Sequence, residues 1–251
     1  MSEIKVDNQY YEIDGILFDK DGTLLDFASL WLHWAISWID HLQAANPDSD
    51  VSRADLAETI GVDVDHNSWD PTGPLAIGSN DDLKALLGSC LYKNGMPWNE
   101  AISLVIQSRE STDNSLDWEH YLQPIKGLRA FLEQLHQASI PLGIITSDDT
   151  QRAHHHLETL NIADYFTSVI GQDAVKREKP FPDSARKACQ QLNIDPGKTL
   201  MIGDSNGDMI TGKNAHMLAT IGIVPEQIGT SRHLKQADQV ITNYENSNLL
   251  T

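Results

Sequence analysis

Short apolar runs that stop at polar or glycine-rich turns recur along this chain, at 15–18, 140–145, 167–170, 199–202 and 218–223. Apolar at consecutive rather than alternate positions, runs of this length predict strands buried on both faces. Between the later runs the apolar spacing changes to three and four, which predicts helices over 127–137, 150–160 and 181–192 and a shorter one over 208–214. Strand and helix therefore alternate, and the expected fold is α/β, a doubly wound (Rossmann-like) parallel sheet with helices on both faces.

The first strand breaks that rhythm, because a long strand-poor stretch separates it from the second. Within that stretch the pattern predicts helices over 27–45, 53–60, 81–92 and 99–111, with Pro and Gly at the breaks. The expected organisation is a core of 1–25 and 124–251 carrying an inserted α-helical cap domain at 26–123. Trp31, Trp34 and Trp38 fall on one helical face, and packing within the cap is the simpler account of them. The stretch 72–79 is flexible by composition. The first ten residues and the tail after Tyr244 are expected to lie outside the ordered fold.

Composition narrows the chemistry. The chain has 251 residues, with 18 Lys plus Arg against 36 Asp plus Glu, a formal net charge of -18. No dense basic stretch offsets this, so nucleic acid is not an expected partner. Long-range repulsion also disfavours anionic ligands, and an anion site would need concentrated local positive charge, most simply from a metal ion. The two cysteines, Cys90 and Cys189, form no close pair. The N-terminus lacks the pattern of a secretory signal and no stretch is apolar for long enough to span a bilayer, so no membrane partner is expected and the expected location is cytoplasmic.

Four strand ends carry candidate chemistry. The first runs into Asp19-Lys20-Asp21-Gly22-Thr23, where alternation lets Asp19 and Asp21 share one side and Gly22 permits a sharp turn. The second ends in Thr146-Ser147-Asp148, a hydroxyl and backbone N–H groups read as lying at a helix start, although such residues are also ordinary helix caps. After the third comes Lys179, which precedes a proline and so sits in non-helical backbone, although a single lysine is most often just a solvated charge. The fourth delivers Gly203-Asp204-Ser205-Asn206-Gly207-Asp208, two acids in one tight turn suited to a hard cation such as Mg²⁺. In parallel open sheets ligands bind beyond the carboxyl ends of the strands. The run His154-His155-His156 reads as a solvated helix face, since three consecutive residues cannot face one ion.

An acid pair, a hydroxyl, a lysine and a second acid pair in this order resemble the four motifs of the haloacid dehalogenase superfamily. They match as DKDGT at 19–23, Thr146 or Ser147, Lys179 and GDSNGD at 203–208. An insert directly after the first motif is similar to the helical cap of its phosphoglycolate phosphatase-like members, in which an interhelical loop closes over the active site. The resemblance implies a Mg²⁺-dependent phosphatase acting on a small phosphorylated metabolite, with Asp19 as the nucleophile that becomes a phosphoaspartate and Asp21 as general acid and base. It implies phosphate contacts from Gly22, Thr146, Ser147 and Lys179. The metal ligands would be Asp19, the Asp21 backbone carbonyl and Asp204, with Asp208 nearby through water or as a weaker ligand. It further implies a short β-flap near 24–26, and a Lys20 side chain that points away from the site. A phosphosugar mutase using the same aspartyl phosphate, a receiver domain and a non-catalytic phosphate-binding module are the alternatives. Oligomeric state is not readable from the chain.

Overall fold

The computed structural model describes residues 2–47, 49–225 and 228–250, with the side chains of 248–250 outside that description. The chain divides into two compact units, residues 1–26 with 122–251, and residues 27–121.

The first unit is an α/β layer structure around a six-stranded parallel sheet. In spatial order its strands are Gln239–Ile241, Ala219–Ile223, Thr199–Gly203, Gly15–Phe18, Leu142–Ile145 and Ser168–Ile170. Four of these, Gly15–Phe18, Leu142–Ile145, Thr199–Gly203 and Ala219–Ile223, are buried at every position, which is why they read as unbroken apolar runs. Leu17 packs on one face with Ala185 and Ala188 of the Asp183–Leu192 helix. Phe18, one residue on, meets Phe166 and Tyr244, and Tyr244 stacks on Phe131 of the Leu128–Gln137 helix. Adjacent strand residues face opposite ways, so helices cover both faces and the sheet is doubly wound.

Chain order reverses about the central Gly15–Phe18 strand, which pairs with Leu142–Ile145 on one side and Thr199–Gly203 on the other. This is the switch point at which such sheets leave a crevice beyond their carboxyl ends. The register Phe18 to Ile144 and Phe18 to Ile202 brings the ends of these three strands level.

Both chain ends depart from expectation. Ser2–Val6 and Gln9–Ile13 form an antiparallel hairpin, and Ser247–Leu250 pairs with Ser2–Val6 to complete a three-stranded sheet. Ile4, Val6 and Ile13 are buried while their neighbours face outward, a half-buried alternation too short and polar to stand out in the sequence. The pairing also joins opposite ends of the chain, which local pattern cannot show. Gln239–Ile241 was likewise unforeseen, because at this sheet edge only Ile241 is buried and no apolar run marks it. Instead of a flap, the segment after Gly22 makes single bridges from Leu25 to Asp21 and Pro124.

The second unit is helical. A π-helical turn at Ala28–Leu32 runs into His33–Ala44, followed by Arg53–Thr59, Asn80–Lys93 and Trp98–Ser115. Trp34 Nε1 donates to Asp113 Oδ1 at 2.8 Å, and Trp38 Nε1 to Val105 O and Ser108 Oγ, both at 3.1 Å. Both rings are buried against the Trp98–Ser115 helix, as the packing account requires, whereas Trp31 is half-buried. The stretch 72–79 is more ordered than its composition suggested. It contains the Pro74–Ile77 turn of helix, and Ser79 caps the next helix in a reciprocal pair with Asp82.

Tyr244 stands just before the tail that was expected to be loose; its ring is buried and its hydroxyl donates to Thr23 O at 3.0 Å. Tyr244→Phe keeps the ring and leaves that carbonyl without this donor, so a loss of roughly 1–3 kcal/mol is expected in urea unfolding. An unchanged midpoint would show that the bond contributes nothing.

Candidate active site

Asp19 follows directly on the Gly15–Phe18 strand, and its backbone N–H donates to Ile202 O at 2.8 Å, continuing the ladder one residue past the strand. This ties the Asp19 side chain to the end of the Thr199–Gly203 strand. Three residues after Asp19 the chain turns at Gly22, whose φ is 77°. A Cβ there would lie 2.0 Å from Asp204 Oδ2, so only glycine lets the backbone pass Asp204 so closely. The Gly22 N–H itself donates to Leu25 O at 2.8 Å.

Asp204 and Asp208 are placed by the turn into the Asn206–Asn214 helix. Ser205 is its N-cap and makes a capping box with Asp208, whose Oδ2 accepts from the Ser205 N–H at 3.1 Å and hydroxyl at 2.6 Å. The other oxygen, Asp208 Oδ1, accepts from Lys179 Nζ at 2.7 Å, and the same ammonium donates to Asp19 Oδ1 at 2.6 Å. Lys179 is therefore a buried cation shared by two carboxylates. Carboxylate oxygens of Asp19, Asp204 and Asp208 all lie within 4.8 Å of one another.

Packing so many acids together away from water has a cost. Burial, with repulsion from Asp208 and Asp21, pushes Asp19 up to about 7 although Lys179 pulls it down. Burial, with repulsion from Asp19 and Asp208, raises Asp204 well above the usual carboxylate range. No hydrogen bond or ion pair engages the Asp204 carboxylate among the described residues. An all-oxygen donor set with one carboxylate unengaged is what a hard divalent cation requires.

Thr146 is buried at the end of the Leu142–Ile145 strand, brought level with Asp19 by the sheet register, and its hydroxyl accepts from the Asp148 N–H at 3.1 Å. Ser147 is exposed. The helix begins at Thr150, where the apolar spacing put it, so Thr146, Ser147 and Asp148 do not lie at a helix start, contrary to expectation. The helix spans Thr150–Thr159 and its N-cap is Asp149, which accepts from the Arg152 N–H at 2.8 Å. Thr146 and Ser147 thus occupy a turn before the helix, because Asp149 is the residue placed to take the first orphan N–H groups.

Residues 13–216 match the family described as haloacid dehalogenase-like hydrolase. The chain belongs to this family. A phosphoglycolate phosphatase from Neisseria gonorrhoeae is 37% identical over 39% of this chain and 42% of its own length. The pyrophosphatase PpaX of Oceanobacillus iheyensis is 35% identical over 55% of this chain and 65% of its own. The matches thus span less than two thirds of the length of these relatives. A crystal structure of a haloacid dehalogenase-superfamily hydrolase of subfamily IA from Geobacter sulfurreducens shares the fold. Its TM-score is 0.63 at 18% identity, over 93% of this chain and 94% of that one.

One part of this haloacid dehalogenase-like site was not anticipated. The Lys20 side chain does not point away from the site; it is fully buried, with Nζ 2.8 Å from Asp21 Oδ1 and 2.7 Å from Asp21 Oδ2. The same ammonium lies 3.0 Å from His156 Nδ1 and 3.3 Å from Asp148 Oδ2. His156 is buried too, which corrects the reading of His154-His155-His156 as one solvated face. Burial and the nearby Lys20 charge push its imidazole down to about 3, so it is neutral at pH 7. The usable signal was periodicity: Ala153, His156, Leu157 and Leu160 are spaced as an apolar stripe, with the histidine in a core position.

Removing the Lys179 ammonium leaves Asp19 and Asp208 buried without their shared counter-ion. Lys179→Met is expected to lower metal-free stability at pH 7 by roughly 3–5 kcal/mol in urea unfolding. Stability equal to wild type would mean that the pair is solvated and replaceable.

Proposed function

We propose that this chain is a Mg²⁺-dependent phosphatase that hydrolyses a small phosphate monoester, phosphoglycolate-like in size and charge, through a phosphoaspartate on Asp19. The observation that carries this reading is the Asp19 carboxylate at the sheet switch point, with Lys179 Nζ at 2.6 Å and the Asp204 and Asp208 carboxylates around it. The phosphatase names of two relatives support it. The α/β unit is assigned the catalytic role and the helical unit that of a cap.

Asp19 attacks phosphorus with a carboxylate oxygen, and the bond from phosphorus to the ester oxygen breaks. Asp21 gives its proton to that leaving oxygen, which departs as an alcohol. Water then attacks the phosphoaspartate, Asp21 takes the water's proton, and the bond from phosphorus to Asp19 breaks to return the carboxylate and free phosphate. Lys179 neutralises charge on Asp19 and on the phosphoryl group in flight, while the Thr146 hydroxyl and the turn at Ser147 donate to phosphoryl oxygens. Gly22 serves by leaving room for Asp204.

Asp19, the Asp21 backbone carbonyl and Asp204 would hold Mg²⁺, with Asp208 reaching it through water because its oxygens already serve Ser205 and Lys179. When bound, the ion offsets negative charge that would otherwise repel a phosphate.

Phosphate release from an aryl phosphate, measured with and without Mg²⁺, is expected to require the ion and to vanish in Asp19→Asn. Asp21→Asn is expected to keep substrate binding while turnover falls by roughly 10²–10⁴-fold, the range for a lost general acid–base. Full turnover in Asp21→Asn sinks its role, and isomerised sugar phosphate without free phosphate would identify a mutase instead.

A further inference from the structure

We propose that Lys20 is a positioning residue that clamps the Asp21 carboxylate in its acid–base orientation, with His156 and Asp148 forming the buried frame that fixes Lys20. This rests on the phosphatase reading, in which Asp21 serves first the leaving oxygen and then the water.

A lysine is almost never fully buried unless paired, and Lys20 has no exposed surface. Its ammonium offers three N–H donors and no acceptor; Asp21 and His156 are its hydrogen-bond acceptors, and Asp148 adds an ion pair. Asp21 lies at 2.7–2.8 Å through both oxygens, His156 at 3.0 Å and Asp148 at 3.3 Å. Because Lys20 can only donate, His156 Nδ1 must be the acceptor, so the imidazole carries its proton on Nε2. The frame comes from another element: His156 sits on the Thr150–Thr159 helix, its neighbours Ala153 and Leu157 buried in the core, and Asp148 sits in the turn before it. Asp148 is itself held by an Arg152 ion pair at 3.5 Å and by the Asp149 N–H at 2.9 Å.

Asp21 itself stands on a turn, followed by a glycine in the left-handed region. Side chains of adjacent residues in an extended strand point to opposite faces, so Lys20 and Asp21 would not meet if the strand continued. They meet because the chain curls here: the N–H groups of Leu24 and Leu25 both donate to Lys20 O, at 2.8 and 3.1 Å. The clamp grips both Asp21 oxygens from the buried side, and the side chain keeps 20% of its surface exposed for chemistry. Lys179 serves Asp19 and Asp208. The two lysines therefore divide the work, one on the nucleophile and one on the acid–base.

The test uses leaving-group dependence, which reports on Asp21 and not on general integrity. The full-length chain with Mg²⁺ is assayed on p-nitrophenyl phosphate, whose leaving phenol needs little protonation, and on a primary alkyl phosphate, whose leaving alcohol needs it fully. In Lys20→Met, kcat/KM for the alkyl ester is expected to fall on the order of 10²-fold, and for the aryl ester less than about tenfold. An equal fall on both esters, or none, overturns the clamp. Asp21→Asn is the reference: if it shows the split and Lys20→Met does not, only the Lys20 role fails. If wild type releases no phosphate from either ester, the phosphatase reading fails and the clamp with it. Should Lys20→Met not fold, His156 gives the same readout. His156→Asn keeps an acceptor oxygen near the Nδ1 position and is expected to retain the wild-type ratio of the two kcat/KM values. His156→Leu removes the acceptor and is expected to shift that ratio severalfold toward the aryl ester; identical ratios in these two variants overturn the frame.

Discussion

The structure depends on holding carboxylates together at the end of a buried sheet against their mutual repulsion. Asp19, Asp204 and Asp208 come within 4.8 Å of one another, and Asp21 and Asp148 stand close by across Lys20. Like charges this close in a poorly solvated site raise each other's pKa and cost free energy that the rest of the fold must supply. Two buried ammonium groups meet part of that cost. Each bridges two carboxylates, so each removes a repulsion as well as forming an attraction. What remains is an excess of negative charge, with Asp204 unengaged among the described residues, and a divalent cation is the natural counter-charge.

Close packing of the acids dictates where side chains are absent. Gly22 passes Asp204 at a distance no Cβ could occupy, and at Gly203 a Cβ would lie 2.4 Å from the Asp208 Cβ. The hydrogen bond from Asp19 N–H to Ile202 O sets the spacing of the two acidic turns, and the capping box at Ser205 fixes the Asp208 rotamer. The switch-point topology then has a clear physical use. It places the first acidic turn between its two partners, with the Thr146 turn on one side and the Asp204 turn on the other.

The two lysines illustrate how similar residues acquire different work from their surroundings. Lys179 reaches in from a turn between elements and donates to Asp19 and Asp208. Lys20 lies within the first motif, faces the core and is gripped by a helix that carries none of the four motifs. A haloacid dehalogenase-like site in this chain therefore extends beyond its motifs into the packing of the Thr150–Thr159 helix. That connection gives a buried, neutral histidine a role that its exposed neighbours His154 and His155 do not share.

By itself the sequence determined five of the six parallel strands and most of the helices, since burial on two faces writes unbroken apolar runs and burial on one face writes a period of three to four. It also marked Asp19, Asp21, Thr146, Asp204 and Asp208, which stand at or just past the ends of such runs, and Lys179, which precedes a proline. Tertiary structure alone decided the pairing of the two chain ends, the ring of Tyr244 within the core and the partners of Lys20. Each of these joins residues far apart in sequence, and a lysine or histidine looks the same in a sequence whether solvated or buried. Only the fold brings Asp148 and His156 to the Lys20 ammonium, because these two partners, unlike Asp21, lie far from it along the chain.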